Sequence, residues 1–423
     1  MNRIYRICFF LVLFGLIVFM LGGRQVGDVV AQDEVGVHTI RPGDTWTALT
    51  FHYGVAEEDL RTLNPHPNPL RQPVIGDTVM VPAGAVAQNG VLWRGNDGGL
   101  LRQAAHTGQN VWQMATELEM PHPYRPLFYR PLFFPGGEFT PLDLPIGFTS
   151  LELSTHLAQP GRALAFRGLV ADEVTVTAKL GEIPFNSFGQ SGRVIGIGGT
   201  GAFFPAGAHS FLIAPEEGPA WTQPWRFGDG EWDFDRVTLT GDAAAIDQAA
   251  ITEERARLQE IWSQVSPQPL WSNNFTLPVD NFLEVSSKYG ARRSYNGGPF
   301  RTYHEGVDFS AYGGTPVFAP AGGTVVLAEN LYVRGGAVII DHGLGIFSGY
   351  YHLSNVIATP GQVVGAGTIL GEVGTTGLSS GNHLHWDLLV AGNWVDVAAW
   401  QEQNMACWIL EGWGSTCLDI QSN

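Results

Sequence analysis

YHEGVDF at 303–309, YYHLS at 350–354 and GNHLHW at 381–386 are the stretches that decide the fold of this chain. They lie in one glycine-rich region whose short apolar runs have the length and composition of β-strands, which predicts a mainly β domain. A catalytic zinc ion is bound by three protein ligands, imidazole nitrogens or carboxylate oxygens, and keeps one position open. The residues of these types in the three stretches are His304, Asp308, His352, His383 and His385.

The spacing of these residues is compatible with a single site. Successive side chains on a strand alternate faces, so His383 and His385 are expected on the same face, with Cβ atoms roughly 7 Å apart. Gly306 lies between His304 and Asp308 and disfavours a regular helix, which indicates a loop that enters a strand and brings both side chains to one ion. The spacing leaves open which three residues bind the ion and which act on a substrate.

From about Asn274 to Trp400 the chain resembles the lysostaphin/LytM-type zinc metallopeptidases, which cleave peptide bonds in bacterial peptidoglycan and have the duplicated hybrid motif fold of antiparallel sheets. The stretches that carry the resemblance follow the family's order and spacing: KYGARRSYNG, HEGVDF, GTPVFAPAGGTVV, VIIDHGLGIFSGYYHLS, GQVVGAGTILGEVGTTG and SSGNHLHWDL. The resemblance implies that zinc is bound by His304, Asp308 and His385, and that His352 and His383 are catalytic.

Three further residues near these motifs have two interpretations each. Asp387 lies two residues beyond His385 and either orients a ligand or is a solvated acid at the end of a strand. Arg292 and Arg293 either bind a carboxylate of the substrate or pair with acids of the protein.

The sequence contains no HExxH glutamate, so His352 or His383 is expected to take a proton from water or to stabilise the oxyanion.

The first 31 residues have the composition of a secretory signal. Arg3 and Arg6 precede the apolar run 7–21, and small residues up to Ala31 suggest a cleavage site there. An uncleaved membrane anchor is the alternative, since the apolar run is near the short end for a span of about 20 residues. Either way the chain is expected to be exported, to the cell wall, the periplasm or the outside of the cell. In that oxidising compartment Cys407 and Cys417 are expected to form a disulfide.

Residues 37–83 resemble a LysM module. The segment predicts a βααβ unit: a short strand, a PGDT turn in which Asp44 or Thr45 caps a helix, a stop at Gly54, a second helix ending at Asn64 and Pro65, and a closing strand 78–81. The resemblance implies binding of glycans that contain N-acetylglucosamine. The positions carried over for this glycan site are Gly43, Asp44, Thr45, Trp46, Asn64 and Pro65.

The remaining segments complete a multidomain prediction. Residues 91–137 resemble a degenerate copy of the LysM module, and residues 138–242 alternate apolar and polar residues, which favours an all-β sandwich-like domain. Apolar residues at helical spacing predict a linker helix within 243–270. The metallopeptidase domain is assigned to 271–402, and 403–423 to a tail that contains the disulfide.

Composition and charge narrow the function. A formal net charge of -17 argues against nucleic acid as a partner. The sequence therefore predicts an exported, zinc-dependent endopeptidase that cleaves stem or crosslink peptides of peptidoglycan and is held on glycan by its LysM module. The alternative is a catalytically silent wall-binding scaffold or regulator of other cell-wall hydrolases.

Overall fold

A computed structural model describes residues 36–94, 100–101, 104–105, 110–118, 120–124, 129, 131–171, 174–238 and 247–413. The predicted signal or anchor at 1–31 and Cys417 lie outside these described residues. Within the described part of the chain, no helix combines the length and the apolar character that crossing a membrane requires.

The first module is a strand–helix–helix–strand unit, as predicted. Its elements are β1 Gly36–Thr39, α1 Trp46–Tyr53, α2 Glu57–Leu63 and β2 Thr78–Val81, and the two strands pair antiparallel. The Thr45 side chain caps α1 by accepting a hydrogen bond from the Ala48 amide, and Gly54 ends α1 in the left-handed conformation that glycine adopts easily. Local sequence signals therefore suffice to define this unit.

A second, smaller unit follows. It contains β3 Gly90–Arg94, α3 Val111–Glu117 and β4 Pro131–Pro135, and β3 pairs antiparallel with β4. The Asn110 side chain caps α3 by accepting hydrogen bonds from the amides of Trp112 and Gln113.

The middle domain is one continuous sheet with the strand order β5-β7-β10-β9-β8-β11-β12-β6. The sequence predicts a sandwich-like all-β domain, and the strands form a single sheet rather than two separate ones. Alternating residues could not reveal the difference, because a curled sheet and a sandwich both bury one face of each strand. The strands are β5 Phe148–Leu153, β6 Leu157–Ala158, β7 Ala163–Val170, β8 Val176–Leu180, β9 Ile183–Gln190, β10 Arg193–Gly199, β11 Gly207–Pro215 and β12 Trp221–Phe227.

This sheet curls back on itself. Strands β7 and β11 are four positions apart in the strand order, a separation of about 19 Å if the sheet were flat. However, Phe166 on β7 and Phe211 on β11 have ring centroids only 6.0 Å apart. The apolar faces of both ends of the sheet therefore form one core, which also includes Trp46 and Ile75 of the first module.

The C-terminal part contains the larger sheet β14-β17-β25-β21-β20-β19-β23, with β26 paired to β25, and the smaller sheets β18-β24-β22 and β13-β15-β16. Helix α4 covers one side of the larger sheet, where Leu258 and Ile261 pack against Leu327, Phe347 and neighbouring residues. The elements are β13 Phe234–Val237, α4 Gln248–Trp262, β14 Glu284–Ser287, β15 Arg292–Tyr295, β16 Thr302–Tyr303, β17 Gly306–Ser310, β18 Pro316–Phe318, β19 Gly323–Leu331, β20 Gly335–Gly343, β21 Ile346–Leu353, β22 Asn355–Val356, β23 Val363–Val364, β24 Ile369–Glu372, β25 His383–Val390, β26 Asn393–Trp394, α5 Val397–Glu402 and α6 Met405–Leu410.

The middle sheet is buried on both faces where it meets the C-terminal part. On β10, Val194 points into the core of the curled sheet, whereas Ile195 and Ile197 belong to a core that includes Val390 and Trp400. This arrangement explains why RVIGIGG is a nearly continuous apolar run rather than an alternating one. The two parts of the chain therefore share a core.

Candidate metal centre

Strands β17 and β25 bring two of the predicted ligands together. Asp308 on β17 lies directly opposite His385 on β25 in the antiparallel register. Side chains of directly opposed residues lie on the same face of a sheet, and Asp308 Oδ1 is accordingly 2.8 Å from His385 Nδ1. The register of the sheet thus places a carboxylate beside an imidazole.

His304 completes the group from the loop between β16 and β17. It is 2% exposed, and its Nδ1–H donates to the Lys288 carbonyl at 3.0 Å, with Ser287 Oγ also 3.0 Å from that nitrogen. These contacts direct Nε2 toward Asp308 Oδ1, 3.1 Å away, and toward His385 Nδ1, 3.0 Å away. A second contact that fixes the tautomer and the ring orientation is typical of metal-binding histidines.

The three side chains fit a zinc ion. Among the residues that the structure describes, His304, Asp308 and His385 are the group of potential ligands whose donor atoms all lie within 4.8 Å of one another. The closest donor atoms are 2.8–3.1 Å apart, within a few tenths of an ångström of the ~3.3 Å edge of a tetrahedron with zinc bonds of 2.0–2.1 Å. Two nitrogens and one oxygen leave a fourth tetrahedral position for water or substrate.

The protonation states of these groups also suit a metal. Burial by itself raises the pKa of Asp308, but the adjacent imidazole rings of His304 and His385 outweigh burial and bring its pKa well below the usual range. Burial lowers the pKa of His385 to about 3. At neutral pH the site therefore contains an ionised carboxylate and a neutral imidazole, which are the forms that bind metal ions.

The two predicted catalytic histidines lie beside this group. His383 and His352 have ring centroids 4.7 Å apart, and His352 is 6.4 Å from His385. The His383 Nδ1–H donates to the Gly381 carbonyl at 2.8 Å, and the His352 Nδ1–H donates to the Thr376 carbonyl at 2.8 Å. Both rings therefore keep Nε2 available, and His383 Nε2 lies 3.9 Å from Asp308 Oδ1. The prediction that His383 and His385 share a face is confirmed.

Asp387 is part of the buried surroundings of the site. It is 3% exposed in the middle of β25, accepts a hydrogen bond from Trp394 Nε1 and lies 3.9 Å from His385 Nε2. The interpretation as a solvated acid at a strand end is therefore wrong. Burial raises the pKa of Asp387 to about 7, so a small change around it alters its charge near neutral pH.

The adjacent arginines have different environments. Arg292 donates to the Ala202 carbonyl of the middle domain at 2.6 Å, and its guanidinium lies over the rings of Phe203 and Trp232, 4.0 and 4.8 Å from their centroids. Arg292 thus joins the middle domain to the C-terminal part. Arg293 instead lies near the metal ligands, with Nη2 4.0 Å from Asp308 Oδ2.

The predicted glycan-binding residues of the first module do not form an open site. Asp44 is 1% exposed, and Gly43, Thr45 and Trp46 are also buried. Asn64 is half-buried and bonds to the backbone of Met80, and Pro65 is exposed.

The middle domain covers these positions. Gln223 on β12 is 0% exposed; its Oε1 accepts from the Gly43 amide at 2.9 Å, and its Nε2 donates to the Asp44 carbonyl at 3.2 Å. The Thr45 hydroxyl donates to Asp143 Oδ2 at 3.0 Å. Polar groups that the resemblance assigns to a sugar are therefore bonded to the protein itself.

Some residues of the site carried no signal in the sequence. The Lys288 and Thr376 carbonyls orient His304 and His352, and a backbone carbonyl leaves no residue-type pattern. Cys407 is buried in α6 and forms a disulfide bond, and Cys417, its predicted partner, lies outside the described residues.

Comparison with known proteins agrees with this geometry. Residues 302–397, which include all five site residues, match Peptidase family M23. Peptidoglycan DD-endopeptidase ShyA of Vibrio cholerae is 37% identical over 115 residues, 27% of this chain and 27% of that protein. DD-carboxypeptidase/endopeptidase Mpg of Neisseria gonorrhoeae is 37% identical over 111 residues, 26% of this chain and 25% of that protein.

Among solved structures, the catalytic domain of the antimicrobial peptidase lysostaphin from Staphylococcus simulans is 31% identical over 28% of this chain and 92% of its own, with a TM-score of 0.25. The matched segment spans about a quarter of the length of the curated relatives ShyA and Mpg. The match to family M23 places a metallopeptidase domain at residues 302–397 and leaves the residues before 302 unassigned.

Proposed function

We propose that this chain is an exported, zinc-dependent endopeptidase that hydrolyses peptide bonds in the stem or crosslink peptides of peptidoglycan. The observation that carries the proposal is the convergence of three zinc-binding donors and two further histidines in the segment that matches family M23. The name of the relative ShyA, a peptidoglycan DD-endopeptidase, supports peptidoglycan as the substrate, and the name of Mpg supports endopeptidase activity.

His304, Asp308 and His385 would hold the zinc ion. When bound there, zinc supplies Lewis acidity, which polarises a carbonyl group and lowers the pKa of a water molecule. His352 and His383 each donate a hydrogen bond through Nδ1, so Nε2 is the atom that can accept or return a proton. Burial lowers the pKa of His352, which keeps its ring neutral near pH 7 and able to accept a proton.

The N-terminal region would hold the enzyme on the wall. We extend the proposal to glycan binding by the first module, guided by its resemblance to LysM, and to export directed by residues 1–31. Because Gly43, Asp44 and Thr45 are bonded to the middle domain, glycan binding through these positions requires the module to separate from β12. Only Pro65 among the six predicted positions is exposed in the docked arrangement.

The experiment is digestion of purified sacculi, followed by identification of the released products by mass. The full chain should release crosslink or stem fragments, and Asp308→Asn should release none. His66→Ala, which removes an exposed imidazole of the first module, is the matched control and should behave as the wild type. Absence of products from every type of peptidoglycan tested would favour the scaffold or regulator instead.

A further inference from the structure

Helix α4 contributes a buried acid to the surroundings of the catalytic histidines. Glu254 lies on this helix, before the matched segment 302–397, and is 5% exposed. Its Oε2 accepts a hydrogen bond from the Val333 amide at 2.6 Å, and its Oε1 accepts from Arg334 Nη1 at 2.8 Å. One carboxylate therefore holds both the backbone and the side chain of the Val333–Arg334 segment.

The same segment holds His352. The Arg334 carbonyl accepts a hydrogen bond from the His352 amide at 2.8 Å, and the Val333 carbonyl accepts from the Leu378 amide at 2.8 Å. Leu378 lies two residues beyond Thr376, whose carbonyl accepts the hydrogen bond from His352 Nδ1. The backbone of His352 and the acceptor for its ring are thus both attached to the residues that Glu254 binds.

The contact between the two loops is close. The Gly336 amide donates to Thr376 Oγ1 at 2.8 Å, and that hydroxyl donates to the Leu353 carbonyl at 2.8 Å. A Cβ atom at Gly377 would lie 2.5 Å from the Val333 carbonyl oxygen, so this backbone approach requires glycine. A displacement of Val333 would therefore displace the loop that contains Thr376.

His352 has an unfavourable backbone conformation. Its φ is +63°, in the left-handed region that residues with a Cβ atom rarely adopt. Such a conformation persists only where the surrounding structure holds it firmly. The Arg334 carbonyl supplies part of this constraint, because it binds the His352 amide.

Arg334 extends the connection toward the site. Its guanidinium lies 5.0 Å from the centroid of Tyr351, the residue before His352, and Nη2 is 3.9 Å from Glu305 Oε2. A buried ion pair is in general no more stabilising than apolar residues of similar volume. A contribution to stability therefore does not by itself explain why the charged side chains of Glu254 and Arg334 are buried together.

We propose that Glu254 is a positioning residue for His352 and acts on it through the Val333–Arg334 segment. This inference rests on the proposed function and deepens it, because it places a residue of helix α4 in the machinery that orients a catalytic histidine. Glu254 fixes the Arg334 carbonyl and, through Val333 and Leu378, the Thr376 carbonyl, so that His352 keeps its proton on Nδ1 and offers Nε2.

The test compares Glu254→Gln with Glu253→Gln in the full chain loaded with zinc. Both variants lose one negative charge from helix α4, but Glu253 is exposed. We expect Glu254→Gln to lower kcat on peptidoglycan about 10- to 100-fold with KM within about twofold, since small misplacements of catalytic groups have effects of this size. Zinc content should not change, and Glu253→Gln should match the wild type.

Nitrogen-15 NMR of the imidazole rings gives a readout that does not depend on activity. His352 should be the Nδ1–H tautomer in the wild type and a mixture of tautomers in Glu254→Gln. If Glu254→Gln does not fold, Glu254→Asp keeps the charge but shortens the side chain by one methylene, and the same changes are expected.

Two results would overturn the inference: a kcat and a His352 tautomer equal to those of the wild type, or a loss of kcat that only follows a loss of zinc. If the wild type cleaves no peptidoglycan, the proposed function fails, and the tautomer comparison still decides whether Glu254 orients His352.

Discussion

Gln223→Ala should free the first module from the middle domain. In the structure the Gln223 side chain bonds to the Gly43 amide and to the carbonyls of Arg41, Asp44 and Pro73, all of which belong to the first module. Truncation leaves these buried groups without that partner in the docked state, whereas water can bond to them once the module separates. The substitution therefore specifically weakens the association of the first module with the middle domain, which we call docking.

The magnitude follows from the lost hydrogen bonds. A buried donor that loses its partner costs about 1–3 kcal/mol, and the Gly43 amide is one such donor. A change of 1–3 kcal/mol in the free energy of association between the first module and the middle domain changes the equilibrium constant for their separation by about 5- to 150-fold. If the covered positions bind glycan, Gln223→Ala should bind oligomers of N-acetylglucosamine more tightly than the wild type by a factor in this range.

The assay is isothermal titration of the full chain with these oligomers, accompanied by urea denaturation. Gln190→Ala is the matched control, since Gln190 is exposed on β9 of the same sheet and its loss should change neither quantity. Equal glycan affinity and equal stability for Gln223→Ala and the wild type would refute the reasoning, because the buried hydrogen bonds would then contribute nothing to docking.

Two further predictions concern stability. Burial lowers the pKa of His342 to about 4. Between pH 6.5 and 4 the unfolded chain binds a proton that the folded chain does not, so stability should fall by about 3 kcal/mol as pH falls through this window. Urea denaturation should show a loss of stability between pH 6.5 and 4 that is smaller in His342→Gln than in the wild type by about this amount, since His352 and His385, whose pKa values are also lowered, remain in both. An equal loss in the two proteins would contradict the prediction. Ile195→Ala should lower the stability of the full chain by about 2–5 kcal/mol, because Ile195 is fully buried between the middle domain and the C-terminal part. Leu169→Ala, at a half-exposed position on the neighbouring β7, should change it by less than about 0.5 kcal/mol, and similar values for both variants would contradict a shared core.

The sequence predicted features that depend on local rules. Strand alternation placed His383 and His385 on one face. The cap predicted at Asp44 or Thr45 and the stop predicted at Gly54 define helix α1, and the structure selects Thr45. Such signals lie within a few residues of the feature they predict, so a single sequence is sufficient to recognise them.

Features that depend on long-range packing were missed. Gln223 is 180 residues from Gly43, and Arg334 is 80 residues from Glu254, so no local pattern could reveal either contact. The alternation of residues in the middle domain was recognised, but it did not determine whether the strands form two sheets or one curled sheet. The sequence left two interpretations of Asp387 open, because its contact with Trp394 comes from outside its own strand.

Zinc content and release of peptidoglycan fragments, measured together, test the central claim most directly. The wild type should hold one zinc ion per chain and release fragments from sacculi. His385→Ala should lose both the metal and activity, whereas His383→Ala should keep the metal and lose activity, since His385 contributes a donor atom to the ligand group and His383 does not. A wild type that holds no zinc, or a His385→Ala variant that retains full metal content and activity, would contradict the account.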